Sequence, residues 1–261
     1  MTAAAFKPCA VVPVYNHGST AGGVAETLRK YGLPVILVDD GSDGETKKRL
    51  RDIAERTDGC ELFTLPRNLG KGGAVMHGLE RAYEGGYSHA LQADADGQHD
   101  LERAAEFLDR ARANPGALVG GRPLFDSSAP ASRLAGRKIT NFWVGLETLS
   151  RDIPDAMCGF RVYPLAACHR LFRSRSLRRR MEFDIEVLVR LHWRGVPMIF
   201  LPLAVTYPAG GVSHFKLLKD NLAIGRLHAC LFLEMLARAP EILLRRLARL
   251  FRGGIAHGAL V

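Results

Sequence analysis

Short apolar runs recur at nearly even spacing along the first half of the chain, at residues 9–14, 35–38, 62–65, 89–93 and 117–119. Between them, over 22–31, 45–56, 73–83 and 101–112, apolar residues return with the period of one helix face. Strands alternating with helices of this length predict βαβ units and a mostly parallel sheet flanked by helices. Right-handed crossovers set the C-terminal ends of such strands on one edge, where open α/β sheets bind ligands. Farther along, the pattern predicts a loop over 122–130, a helix over 131–149 and a strand or turn within 154–163. A helix over 181–193, a strand over 197–207 and a glycine-rich loop over 208–212 follow.

The last segment carries a different pattern. At 100° per residue, Leu243, Leu244, Leu247, Leu250 and Phe251 share one helix face, with Arg245, Arg249 and Arg252 opposite and Arg246 on a flank. Residues 222–236 are apolar almost all round. Arginine backing an apolar face suits a helix lying in a membrane interface, and equally a helix packed on its own domain. The expected organisation is one catalytic-sized domain over 1–215 and an amphipathic, basic, membrane-associating helical extension over 216–261.

Charge and cysteine usage narrow the classes. Lys plus Arg number 36 against 27 Asp plus Glu, a net charge of +9, with six arginines between positions 170 and 180. Such an excess favours anionic partners. Nucleic acid is not among those expected, because the basic stretches lack interleaved aromatic residues and match no recognised module. The five cysteines are scattered without C-x-x-C spacing, which argues against a disulfide framework or a zinc site and fits a reducing cytoplasm. No apolar run reaches the ~20 residues that span a bilayer, and residues 1–14 read as a first strand rather than a signal peptide.

Candidate chemistry gathers at the strand ends. Asp94-Ala95-Asp96-Gly97-Gln98-His99 places two carboxylates two residues apart where a strand runs into a loop, a set able to hold a hard divalent cation whose open positions a diphosphate fills. Val38-Asp39-Asp40-Gly41-Ser42 offers carboxylates to a base N–H or a ribose hydroxyl, while Ser42 or Asp43 can cap the next helix. Arg67-Asn68-Leu69-Gly70-Lys71-Gly72-Gly73 brings glycines and Lys71 to a helix N-terminus, which favours an anion, yet fits neither a P-loop nor a dinucleotide fingerprint. Glu182, Asp184 and Glu186 sit on one helix, the first and last sharing a face and Asp184 pointing elsewhere. One of them can serve as a general base, or all can balance Arg178 to Arg180. Ser213, His214 and Lys216 follow the glycine-rich loop as a candidate lid on a diphosphate.

In order, Val12-Pro13-Val14-Tyr15-Asn16, Val38-Asp39-Asp40-Gly41-Ser42, Arg67-Asn68-x-Gly70-Lys71-Gly72 and Asp94 to His99 resemble glycosyltransferase family 2 over about residues 8–215. Within that family the chain looks most like the dolichyl- or polyprenyl-phosphate mannose synthase branch. The resemblance implies a GT-A fold and metal-dependent, inverting hexose transfer from a GDP- or UDP-sugar donor to a lipid-linked acceptor such as a polyprenyl phosphate. It implies a peripheral location on the inner, cytoplasmic face of the cell membrane. Pro13, Tyr15 and Asp39 would meet base and ribose, with Asn16, Asp40, Lys71 and Ala95 completing the donor set. Asp94, Asp96 and Gln98 would hold Mg2+ or Mn2+, Arg122 would lie near the donor phosphates, and Arg133 and Arg137 would bind the acceptor phosphate. Cys158-Gly159-Phe160-Arg161 matches a family element, and Asp184 (catalytic) and Glu186 (donor side) match a later acidic one. Ser213 and His214 depart from the family's Ser-Lys closure, since Lys216 comes two places late. A hydroxyl acceptor on a lipid or polysaccharide is the alternative, and a nucleotidyltransferase the rival enzyme class.

Overall fold

The computed structural model describes residues 5–126, 129–206 and 217–257. Its first half repeats a strand–helix unit: β1 (Pro8–Val14), α1 (Gly18–Lys30), β2 (Val35–Asp39), α2 (Gly44–Arg56), β3 (Cys60–Thr64), α3 (Lys71–Glu84), β4 (His89–Gln92) and α4 (Ala104–Ala113). After these come β5 (Leu118–Phe125), α5 (Ala131–Thr148), β6 (Arg161–Pro164), α6 (Leu165–Ser174), α7 (Phe183–Trp193), β7 (Met198–Val205) and α8 (Leu217–His257). The seven strands form one sheet in the order β3-β2-β1-β4-β6-β5-β7. Strands β2 and β4 are buried throughout, β2 as a nearly continuous apolar run and β4 as a short apolar centre between His89 and Gln92, whereas β3 lies at an edge and is partly exposed.

Two features of the sheet depart from the sequence expectation. Residues 122–125 continue β5 rather than forming a loop, held in parallel register by β7 from Leu118↔Met198 to Phe125↔Val205. Gly120, Gly121 and Pro123 weaken any local strand signal, so this pairing is decided by the neighbouring strand. Strand β6 runs antiparallel between β4 and β5. Its N-terminal approach, residues 158–161, therefore reaches the same sheet edge as the C-terminal ends of the parallel strands.

Apolar side chains pack on both faces of the sheet. One side is built from α1, α2 and α4 through Val24, Leu28, Leu50 and Phe107. The other takes α3, α5, α6 and α7 through Leu79, Val144, Leu171 and Leu188. Helix α8 adds Ile224, Leu227, Leu231, Met235 and Ile242 to that second cluster. Its polar anchor is a buried pair in which His228 Nδ1 lies 2.7 Å from Glu147 Oε1 on α5.

Candidate active site

The tips of β1 and β2 are tied together before any ligand is considered. Asn16 adopts a left-handed backbone (φ 56°); its N–H donates to Ser42 Oγ (3.0 Å) and its Oδ1 accepts from Asp43 N–H (3.0 Å). Asp43 also caps α2, accepting from Thr46 N–H at 2.8 Å. Asp39 is fully buried; its Oδ1 accepts from Ser42 N–H at 2.8 Å, while its Oδ2 is buried without a partner. An unpartnered buried acceptor is costly unless something supplies a donor. Asp39 thus has the free oxygen that a base N–H or ribose hydroxyl needs.

Asp40 is engaged by the protein itself: its two carboxylate oxygens accept from Leu69 N–H (2.6 Å) and Gly70 N–H (2.9 Å), so it latches the loop leading into α3. Burial raises its pKa above the ordinary carboxylate value, against the pull of those two N–H groups. The glycines of that loop are also explained by protein packing rather than by an anion. A Cβ on Gly72 would lie 2.2 Å from Phe183 Cβ, and one on Gly70 2.6 Å from the Arg179 carbonyl. The loop is drawn against the start of α7, which brings Lys71 to Asp184.

That approach creates the centre of the site. Lys71 Nζ lies 2.9 Å from Asp94 Oδ2 and 3.0 Å from Asp184 Oδ2. Behind them Arg161, fully buried, donates from Nη1 to the Asp184 carbonyl (2.8 Å) and the Tyr163 hydroxyl (3.3 Å). Tyr163 donates to Gln92 Oε1 (3.1 Å), and Gln92 Nε2 reaches Asp94 Oδ1 (3.4 Å). Asp94, Lys71, Asp184, Arg161, Tyr163 and Gln92 therefore close a ring of polar groups at the strand tips. Burial would raise the Asp94 pKa, but Lys71, then His99, hold it well below the carboxylate range. Burial likewise opposes the charge on Lys71, and Asp184 and Asp94 overcome it, keeping the ammonium charged.

The rest of the acidic loop lies beside this ring. Thr20 on α1 donates to the Ala95 carbonyl, so that carbonyl is already engaged. Asp96 Oδ1 accepts from Gln98 N–H at 3.1 Å. His99 pairs in an antiparallel bridge with Val205, its Nδ1 buried without a partner and its Nε2 4.0 Å from Cys158 Sγ. Burial lowers the His99 pKa against the pull of Asp94 and Asp96. Two carboxylates with a nearby amide oxygen are hard donors of the kind Mg2+ and Mn2+ prefer, so the chemistry of Asp94, Asp96 and Gln98 fits such an ion. Among the described residues, however, no group of three or more His, Cys, Asp or Glu side chains is poised to hold a metal ion. A substrate diphosphate would have to complete the set.

Other expected residues fall at varying removes. Arg137 on α5 contacts both oxygens of Asp155 at 2.7 Å and lies over Phe125; Asp155 Oδ1 in turn accepts from Met157 and Cys158 N–H. Arg137 thereby shapes the turn that carries Gly159. Arg133, exposed one turn earlier, shares its helix face. Arg122 is exposed on β5 opposite Pro202, and Pro13 is buried within β1 opposite Val38. Tyr15 is half-buried just beyond β1. Glu186 is not brought to the ring. Its Oε1 receives Arg190 Nε (2.7 Å) and its Oε2 receives Arg178 N–H (2.8 Å), so it braces α7 against the arginine-rich segment. Ser213 and His214 lie outside the described residues.

The sequence motifs include Gly159, Arg161 and His99 without assigning any of them a role, and Gln92 and Tyr163 stand outside every motif. A Cβ on Gly159 would lie 2.6 Å from Asp94 Oδ2 and 2.8 Å from Lys71 Nζ, so only glycine lets β6 begin across the acid–lysine pair. Gln92, a polar residue inside a fully buried strand, was the available signal for the ring.

The family model described as glycosyl transferase family 2 matches residues 9–179, a span holding the tied strand tips, Lys71, Asp94 and the Gly159 turn. The chain belongs to this family. Its relatives within family 2 include the dolichyl-phosphate beta-glucosyltransferase of Dictyostelium discoideum, 31% identical over 65% of this chain and 54% of that protein. That of Drosophila melanogaster is 31% identical over 72% of this chain and 63% of that protein. Glycosyltransferase AglD of Haloferax volcanii is 29% identical over 86% of this chain and 36% of that protein. The chain thus spans between half and two thirds of the length of the first two relatives and about a third of AglD. Among solved structures, glucosyl-3-phosphoglycerate synthase from Mycobacterium tuberculosis, in complex with Mn2+ and UDP-glucose, superposes with a TM-score of 0.62. That likeness covers 89% of this chain and 79% of the other at 15% identity, and it establishes the GT-A fold alone.

Proposed function

We propose that the protein transfers a hexose from a UDP- or GDP-sugar to a lipid-linked phosphate of the polyprenyl type, at a membrane surface. In this reading residues 1–215 carry the chemistry and residues 216–261 serve the membrane, on its inner, cytoplasmic face. The observation that carries the proposal is the ring joining Asp94, Lys71 and Asp184 at the strand tips, with the free Asp39 Oδ2 at a neighbouring tip. Two cations and two carboxylates balance within the ring, so Asp96 adds an uncompensated negative charge beside it. Asp94, Asp96 and Gln98 would hold Mg2+ or Mn2+, which as a Lewis acid neutralises charge on a departing nucleoside diphosphate.

The chain's own residues divide the remaining work. Asp39 fixes the nucleoside end of the donor, and Asp94 and Asp96 face the diphosphate end. An acceptor oxygen attacks the anomeric carbon as the bond to the diphosphate breaks, and the configuration inverts. A lipid phosphate enters already ionised and requires positioning, not a proton acceptor, which suits Arg133 and Arg137. Asp184 faces Lys71 at 3.0 Å and Arg161 at 3.8 Å, an arrangement that favours a positioning carboxylate and so a phosphate acceptor. The names of the dolichyl-phosphate relatives support the same acceptor class.

Incubation with UDP- and GDP-hexoses, Mn2+ and a short-chain polyprenyl phosphate tests this. The expected result is a glycosyl phospholipid with one donor nucleotide, lost at least ~100-fold in Asp96→Ala. Full turnover in excess chelator would overturn the metal assignment. Transfer to hydroxyl acceptors alone would overturn the acceptor, and release of diphosphate from a nucleoside triphosphate would overturn the class.

A further inference from the structure

Helix α8 has two apolar faces, and its packing accounts for only one. At 100° per residue, buried Ile224, Leu227, Leu231, Met235 and Ile242 share the side turned to the core. Exposed Leu218, Leu222, Leu233, Leu236, Leu243, Leu244 and Leu247 fall within an arc of roughly 100° about half a turn away. Leu218 is 87% exposed, Leu233 67% and Leu244 66%, so this stripe is uncovered along ~44 Å of helix. Gly225, Ala229 and Pro240 fill the rest of the arc, which contains no acidic residue. Seven leucines in one line exceed the scattered apolar residues of an ordinary surface.

Charge identifies what fits the stripe. Exposed Lys219 and Arg226 border one flank. On that flank a groove of about 860 Å³ is lined by Arg175, Leu177, Arg178, Cys230, Leu233 and Glu234. Glu234 is shared by Arg175 (2.7 Å), Arg190 (3.0 Å) and Arg238 (3.1 Å); Arg190 also pairs with Glu186 (2.7 Å) and Arg238 with Glu241 (3.8 Å), so Arg175, Arg178, Arg190, Arg238, Lys219 and Arg226 face three carboxylates. Among the described residues, Arg178 Nη2 meets the weak acceptor Cys230 Sγ, at 3.5 Å. The surplus is positive, so an identical second copy would be repelled and an anionic surface attracted. No helix among the described residues is long and apolar enough to cross a membrane.

We propose that the outward leucine stripe of α8, from Leu218 to Leu247, lies in the interface of a membrane bearing anionic phospholipids, with Lys219, Arg226, Arg175 and Arg178 toward the headgroup phosphates. This rests on the lipid-acceptor reading and deepens it: docking is a property of the outward face of a helix anchored on the core, not of the last turns alone. Interfacial binding of this kind scales with buried apolar area plus attraction to anionic lipid.

Flotation of the full chain with vesicles of phosphatidylcholine alone, and of phosphatidylcholine mixed with phosphatidylglycerol, is the test. The wild type is expected to float with mixed vesicles and far less with neutral ones. The triple variant Leu222→Gln/Leu233→Gln/Leu236→Gln should lose roughly a hundredfold in partitioning. Arg226→Ala should lose ~5-fold on mixed vesicles only. Flotation of the triple variant at the wild-type level would overturn the proposal, as would failure of the wild type to float. A wild-type dimer dissolved by the triple variant would assign the stripe to a second copy and overturn it too. Sugar transfer to a short-chain acceptor in detergent is followed in parallel. Its loss in the wild type would refute the proposed function, whereas its retention in a non-floating wild type would refute only the docking face.

Discussion

At the scale of single residues, Gly159 is the most constrained position in the site. The ring depends on Asp94 and Lys71 meeting beneath the turn that opens β6, and a methyl at Gly159 would occupy space held by both. Asp94 has little freedom to retreat, because Gln92 and Lys71 hold one oxygen each. The carboxylate must shift away from the turn, and displacements near 1 Å at a reacting centre cost about two orders of magnitude. Gly159→Ala should therefore fold, with native circular dichroism, and lose at least ~100-fold in kcat/KM for sugar transfer. Activity within a few-fold of wild type would mean that the ring tolerates displacement and is structural.

At the scale of elements, the site is assembled by loops fastened to one another before a ligand arrives. Asp40 is the clearest fastener, since both its oxygens are taken by the backbone that enters α3. Asp40→Ala leaves the N–H groups of Leu69 and Gly70 without acceptors, a loss of about 1–3 kcal/mol for each that stays buried. Asp40→Asn retains one acceptor and should lie between the two in urea midpoint; equal midpoints for all three proteins would dismiss the latch. The strands that carry these loops are legible in the sequence within a residue or two, because β1 and β2 are mostly apolar runs and β4 has a short apolar centre, each followed by a polar turn. Helix α6 is missing from the predicted elements although Leu165, Cys168 and Leu171 recur at helical spacing, because it is short and runs into the arginine-rich segment that begins at Arg170. Long-range partnerships were not legible. Neither the antiparallel entry of β6 nor the departure of Glu186 toward Arg190 leaves a local trace, since each is decided by residues distant in the chain. Wheel geometry did separate Asp184 from Glu186 in advance, and only Asp184 reaches Lys71.

At the scale of the whole molecule, α8 joins two requirements in one element. Its inner side chains belong to the same apolar cluster as α3, α5 and α7, and its His228–Glu147 pair is buried within that contact. A cut that removes residues 237–261 spares Ile224, Leu227, Leu231 and Met235, so the shortened protein should keep its fold with a modestly lower Tm. A cut that removes residues 217–261 uncovers the surface those four side chains fill. Each contributes about 1.5–3 kcal/mol on burial. Their sum rivals the total stability of about 5–15 kcal/mol typical of a domain. It also strands Glu147, whose pKa burial already holds above the ordinary value against the pull of His228. The shorter protein should aggregate or unfold below the temperature at which the longer one melts, as read by thermal melts and size-exclusion chromatography. If residues 1–216 instead melt as sharply and as high as the full chain, α8 is an appendage, and its inner leucines contribute nothing to the fold.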